Sequence, residues 1–221
     1  MFDMMKKQWL FPILVFGALL WTSMQDPKID DQKSQSILEA ASGKISSYST
    51  IKIDFSFTEA EPGQEGIARR GRVWMKGEMY HLRFAGQEIF SDGRTRWTYI
   101  RDAEEVHITS VSEHDDELAN PVRLLNNYND RFTTRWIREE THKGKRVNVV
   151  DLYPKKRRAY HRVRLLIDKS SHQIVSTSIF FTNNSSQQID VNRFVTNEPI
   201  PDSHFVWSAS RHPNVEIIDL R

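Results

Sequence analysis

Apolar and polar side chains alternate most cleanly at residues 50–58, where Ile51, Ile53, Phe55 and Phe57 oppose Lys52, Asp54 and Ser56. A period of two over this length predicts a strand with one buried face. Residues 67–76, 79–84, 88–91, 94–100 and 105–108 continue in short extended runs, with Asp92-Gly93 as a two-residue hairpin signal. Within this meander Val73 and Met75 are expected to share the apolar face, as are Leu82 with Phe84, Trp97 with Tyr99, and Val106 with Ile108. Arg72, Lys76, Arg83 and Arg96 take the opposite positions. Further strands are predicted at 131–140, 145–153, 160–168, 173–182 and 188–197, and the runs 203–207 and 214–220 finish the chain. Val163, Leu165, Ile179 and Phe181 belong to the inward sets of these strands. Before them, Ile37, Leu38, Ala41 and Ile45 recur at helical spacing and predict an amphipathic helix over 32–45, capped by Asp30 or Asp31. A shorter helix opens at Asn120-Pro121 over 122–126, with Leu124-Leu125 as its apolar tooth. The expected class is mainly β, with about ten antiparallel strands in hairpin succession and no βαβ alternation. A sheet this long must curl. Pattern alone leaves two cases open. The first helix is either plain core on a closed sheet or a lid over a cavity.

Composition changes this picture in three ways. Residues 1–23 read as a signal peptide, with Lys6-Lys7 before an apolar stretch at 10–21 that is too short to span a ~30 Å hydrocarbon core. The bulky Trp21 near the cut leaves an uncleaved anchor as the alternative. Residues 24–31 are then a polar linker and 32–221 a single domain, outside the cytoplasm. Cysteine is absent, so neither a disulfide framework nor a lipid-modified cysteine is available. The formal charge is +2, which argues neither for nor against nucleic acid. The one basic cluster, Lys155-Lys156-Arg157-Arg158, is short and lacks an interleaved stacking platform, so no nucleic acid is expected. It reads as a solvated hairpin tip, with an acidic partner or anionic headgroups as the functional alternative.

The motifs of chemistry are missing. There is no nucleophile elbow, phosphate loop or dinucleotide fingerprint, and no pair of histidines has the helix-face ligand spacing. His107 with His114, Asp115 and Asp116 comes nearest to a metal cluster, but across an expected loop. Glu104-Glu105 and Glu139-Glu140 are adjacent on strands and so face opposite sides, which makes poor acid/base pairs. No catalytic residue, metal or cofactor is expected.

The order of segments resembles the LolA family of periplasmic carriers of outer-membrane lipoproteins. The likeness lies in the helix running into Tyr48-Ser49-Thr50-Ile51-Lys52-Ile53-Asp54-Phe55, in Gly71-Arg72-Val73-Trp74-Met75-Lys76, and in Ile89 to Tyr99. Asn120-Pro121-Val122-Arg123-Leu124-Leu125, Phe205-Val206-Trp207 and the ending His212 to Leu220 extend it. The resemblance implies an unclosed, strongly curved antiparallel half-barrel covered by helices, with acyl chains held between them. It selects the open case. Carried onto this chain, the cavity would be lined by Ile53, Phe55, Phe57, Val73, Met75, Leu82, Phe84, Trp97, Tyr99, Leu124, Leu125, Val163, Leu165, Ile179 and Phe181. Ile37, Leu38, Ala41 and Ile45 would form the lid face.

The resemblance further implies a monomer that takes acylated lipoproteins from an inner-membrane exporter, and leaves open whether an outer-membrane acceptor exists. Family members carry Arg-Pro after the strand matching 73–76, and that arginine bonds lid carbonyls. Here Gly77-Glu78 follow, so a looser latch is expected, with Lys76 a weak substitute. The rival readings are a sensor of envelope stress or lipid on the same fold, and an exported hydrolase.

Overall fold

The computed structural model describes residues 27–64, 66–111, 124–125 and 128–221. The leader, the acidic stretch around 112–120 and most of the predicted helix at 122–126 lie outside them. Helix α1 spans Pro27–Ser46. It starts at a proline, whose missing N–H costs nothing in the first turn. Asp30 and Asp31 therefore lie within the helix rather than capping it.

Twelve strands follow among the described residues: β1 (Ile51–Ala60), β2 (Ala68–Lys76), β3 (Met79–Phe84), β4 (Gln87–Ser91), β5 (Thr95–Ile100), β6 (Glu105–Ser110), β7 (Phe132–His142), β8 (Lys145–Pro154), β9 (Tyr160–Asp168), β10 (Ile174–Phe181), β11 (Ser186–Thr196) and β12 (Glu216–Asp219). A single turn of helix, α2 (Tyr128–Arg131), precedes β7. All twelve strands form one unclosed sheet in the order β12-β6-β5-β4-β3-β2-β1-β11-β10-β9-β8-β7. Every pairing is antiparallel except β12 on β6, a parallel contact that hairpin succession did not predict. Bulges between Asp54 and Phe55, between Trp136 and Arg138, and at both ends of β10 bend the ladder, as an extra residue on one strand does.

Register decides which side chains share a face. Ile53 pairs with Val73, Val73 with Leu82, and Leu82 with Ile89. Ile89 in turn opposes Thr98, so Thr98 is the β5 residue on that face. Trp97 instead opposes Phe90, and Tyr99 opposes Val106. Trp97 and Tyr99 therefore point to the outer face, and Arg96 to the inner one, the reverse of the expectation. The two-residue turn at Asp92-Gly93 is corrected as well. β4 and β5 are joined by residues 92–94, with Gly93 at φ 91 and the Asp92 carboxylate accepting from the backbone N–H groups of Arg94 and Thr95 (2.8 and 2.7 Å). The Asx side chain closes the turn.

The main core lies between α1 and the inner face, where Leu38 and Ala41 meet Val150, Leu152, Val163 and Leu165. A second apolar cluster, with Phe90, Tyr99, Val106 and Trp207, lies on the outer face under the C-terminal segment. No helix among the described residues is long and apolar enough to cross a membrane, a statement that leaves strand-built spans aside.

Candidate functional site

A cavity of about 340 Å³ lies between the C-terminal half of α1 and the middle of the inner face. That is the lower end of the usual small-ligand range of roughly 300–1,000 Å³. Its sheet wall comes from β1, β2, β3, β10 and β11, and its cover from Ala41, Lys44, Ile45 and Tyr48 with Leu124 and Leu125. Of the residues expected to line it, Ile53, Phe55, Phe57, Val73, Leu82, Phe84, Leu124, Leu125 and Ile179 do so, together with Ala41 and Ile45 from the helix.

The others are placed elsewhere. Met75 is sealed in the core beside the cavity, and Val163, Leu165 and Leu38 are fully enclosed beneath α1. Phe181 and Ile37 are partly buried against that core without bordering the void. Trp97 and Tyr99 are on the outer face for the register reason above. Sequence reasoning missed Ile174, Thr177, Ile189, Val191 and Phe194 on β10 and β11, and the polar group Lys44, Tyr48, His172, Gln173 and Gln187. Apolar alternation in 188–197 marked Ile189 and Val191; the bulge opposite Asp54 then brings Phe194 back to the inner side.

Phe55 shows how the wall is built. It opposes Gly71 on β2, and a Cβ at Gly71 would collide with the Phe55 ring. The ring lies across the glycine and turns toward Phe84, with centroids 5.9 Å apart, while Phe57 meets Phe84 edge-on at 5.1 Å. Offset and edge contacts of this kind are the favoured aromatic geometries.

The helix is pinned at several points. Ser34 and Thr134 share a buried hydroxyl–hydroxyl hydrogen bond of 2.7 Å. Lys33 Nζ lies 3.4 Å from the centroid of the Trp136 ring. The Tyr128 hydroxyl donates to the Gln35 carbonyl (3.4 Å), and Gln173 Nε2 donates to the Tyr48 hydroxyl (3.0 Å). Arg131, at the end of α2, donates from Nη2 to the Leu124 carbonyl (3.0 Å). Lys76 plays no part in this. It faces the outer side and pairs with Asp202 at 2.7 Å, tying down the C-terminal segment.

That segment is held by a second polar group. His81, only 2% exposed, stacks on Phe90 and contacts His204 through Nδ1 (3.2 Å) and Glu88 through Nε2 (3.1 Å). Burial drives the His81 pKa down to about 4, against the opposing effect of Glu88. Burial also lowers His204, with Arg83 and Arg211 adding to it. For Glu88, burial raises the pKa, but the hydrogen bond with His81 and the Arg83 charge outweigh it and leave the carboxyl below its ordinary range. Among the described residues no three or more His, Cys, Asp or Glu side chains are grouped to hold a metal ion. His107 bonds Glu105 at 3.0 Å, and His114, Asp115 and Asp116 lie outside the described residues.

The model of the outer membrane lipoprotein carrier protein LolA family matches residues 78–208, from the start of β3 into the C-terminal segment. The chain belongs to the LolA family. The family fold supports a lipid- or lipoprotein-binding periplasmic module, and the open sheet with its helical cover is the LolA-like half-barrel. No curated protein sequence matches the chain significantly. Among solved structures, an uncharacterized conserved protein from Thermus thermophilus aligns with a TM-score of 0.60 at 10% identity, covering 85% of this chain and 99% of that one. A LolA superfamily protein from Nitrosomonas europaea aligns at 0.45 and 16% identity, covering 79% and 97%. The lipoprotein LppX of Mycobacterium tuberculosis aligns at 0.46 and 12%, covering 77% and 98%. At these identities the likeness concerns the fold alone, and of these three only the Thermus protein is close enough to support it.

Proposed function

We propose that this LolA-family chain is a periplasmic carrier that takes the acyl chains of lipoproteins into the cavity under α1 and shuttles them from the inner to the outer membrane. It acts as a monomer and without a catalytic step, receiving cargo from an inner-membrane exporter. Residues 1–23 direct export and are removed, and 32–221 are the carrier domain. The observation that carries the reading is the apolar void itself: a partly open space walled by Phe55, Phe57, Phe84, Ile179 and Val191 that the described side chains leave unfilled. Burying acyl chains is worth about 0.8 kcal/mol per CH₂. Release therefore requires a second apolar site of similar quality, and the carrier must not bind too tightly. A small cavity suits that balance, with α1 displaced against its polar contacts when the full set of chains enters.

The direct test is purification of the exported chain from its own envelope, with mass spectrometry of what comes with it. Acylated protein is the expected cargo, and recovery of free lipid alone would overturn the shuttle. As a companion, Val191→Trp grows bulk into the void from a half-buried strand position. It should abolish binding of a fluorescent acyl probe while the protein stays folded by thermal melt. Unchanged probe binding in the folded variant would mean that the chains lie elsewhere.

A further inference from the structure

On the outer face, away from the acyl cavity, β1, β2, β3 and β11 leave an open groove of about 650 Å³ walled by Asp54, Ser56, Arg70, Arg72, Arg83 and Asn192. Register places Arg72 directly between Asp54 and Arg83, and Arg70 opposite Ser56. Like charges set directly across a ladder destabilise it, so an arginine facing an arginine here is a cost that the fold carries. The groove holds three guanidinium groups against the one carboxylate of Asp54. The lining alone carries a formal charge of +2, reduced to +1 when Glu88, the ion-pair partner of Arg83, is counted with it.

The hydrogen bonding of these arginines is incomplete in a specific way. Arg164 engages Asp151 through both Nε and Nη2 (2.7 and 2.8 Å), the full fork that a guanidinium offers. Arg72 bonds Asp54 through Nε, and Arg83 bonds Glu88 through Nε at 3.0 Å. Neither donates from Nη to a described residue. Both guanidinium groups are held near the Trp74 ring, 5.6 and 5.4 Å from its centroid, which limits their freedom. Arg70 is exposed and makes no hydrogen bond or ion pair among the described residues. Asn192 Nδ2 donates to Ser56 Oγ at 2.8 Å, which leaves the Ser56 hydroxyl proton for another acceptor.

We propose that this groove binds a phosphate group. A tetrahedral oxyanion offers enough oxygens to meet the free Nη donors of Arg72 and Arg83 and the whole of Arg70 at once. Free phosphate offers four such oxygens, and a phosphodiester offers two at tetrahedral spacing besides its ester oxygens, whereas the planar carboxylate chemistry is already supplied here by Asp54. Guanidinium forks match phosphate in both charge and geometry. The group has two possible sources, free phosphate in solution and the phosphodiester of a lipid headgroup. In the second case the groove holds the carrier at a membrane surface from the face opposite its cargo, so occupancy does not depend on what fills the acyl cavity.

The test titrates the purified protein at low salt with three probes, followed by NMR of the arginine side-chain N–H groups and by calorimetry. The probes are inorganic phosphate, dihexanoyl phosphatidylglycerol below its micelle threshold, and a glutamate-rich peptide. Phosphate or the short lipid should shift the Arg70, Arg72 and Arg83 signals. Arg70→Gln and Arg83→Gln should each weaken binding about tenfold or more, the loss expected for a charge-assisted hydrogen bond. Arg157→Gln, in the exposed basic loop, should leave it unchanged. Arg70→Gln is decisive because Arg70 has no described partner to strand, so folding is spared. Binding of both probes, or of phosphate alone, assigns a soluble source, and binding of the lipid alone assigns a headgroup. No binding, or binding unaffected by Arg70→Gln in folded protein, overturns the site. Binding of the acidic peptide in place of either phosphate probe also overturns it and makes the groove a protein-contact surface.

Discussion

A neutral imidazole at position 81 is a condition of the outer-face packing, because a charged ring would sit between Trp74 and Phe90 with almost no access to water. The folded pKa of about 4 lies below the ordinary 6.5. Between those values the unfolded chain binds a proton that the folded chain refuses. His81 therefore contributes stability that is complete above about pH 6.5 and is lost as pH falls toward 4, by at most ~3 kcal/mol. His204 is shifted in the same direction, and the lowered Glu88 also loses its contribution as pH falls, so the three act together. His81→Gln keeps a side chain that can donate and accept but cannot titrate. Urea midpoints measured from pH 7 to pH 4 should fall steeply for the wild type and less steeply for His81→Gln. Parallel curves would show that the acid sensitivity comes from other groups.

At the scale of elements, α1 is attached to the sheet by a few polar contacts near its middle and ends, while its apolar face leaves the cavity beneath it. The Ser34–Thr134 contact joins the helix to β7 inside the core. Replacing both residues by cysteine allows a bond that fixes the helix to its strand. The oxidised pair should slow uptake of an acyl probe at least several-fold, and reductant should restore it. Equal uptake in both redox states would show that α1 does not open. Lys76→Ala is the contrasting variant: Lys76 ties Asp202 on the outer face, so probe binding should be unchanged.

How far these elements were legible follows from the same physics. Strands β1, β2 and β3 declared their inner faces through strict alternation at Ile53, Phe55, Val73 and Leu82, and the helix did so through Leu38 and Ala41. β5 did not, because its apolar residues are covered on the outer face rather than the inner one. Trp97 and Tyr99 are apolar as an inner set would be, yet they pack under the C-terminal segment, while Thr98 faces inward. Hydrophobicity signals burial and is silent on which side the burial occurs. The polar lining at Lys44, His172 and Gln173 carried no pattern at all, since it is assembled from a helix end and a hairpin turn far apart in the chain.

As a whole, the molecule is one sheet with separate business on its two faces, and its edges are managed separately. α1 packs along β7 at one edge, and the four-residue β12 closes the other as a short parallel strand on β6. Short or covered edges resist pairing with other chains. The segment leading to β12 also covers the outer face, where Phe205 is fully buried and Trp207 nearly so against Phe90, Tyr99 and Val106. If the two faces are energetically separate, damage to this strap lowers stability without altering the acyl site. Trp207→Ala should cost about 3 kcal/mol or more, as large aromatic truncations do. Trp207→Phe should cost less than about 1.5 kcal/mol, because the indole Nε1 is buried with no hydrogen-bond partner among the described residues and its removal strands none of them. Denaturation midpoints give the two losses, and acyl-probe affinity measured well below the midpoint should stay at the wild-type value in both variants. A fall in affinity that tracks the loss of stability would show the sheet acting as a single unit, with the strap setting the shape of the cavity through the strands between them.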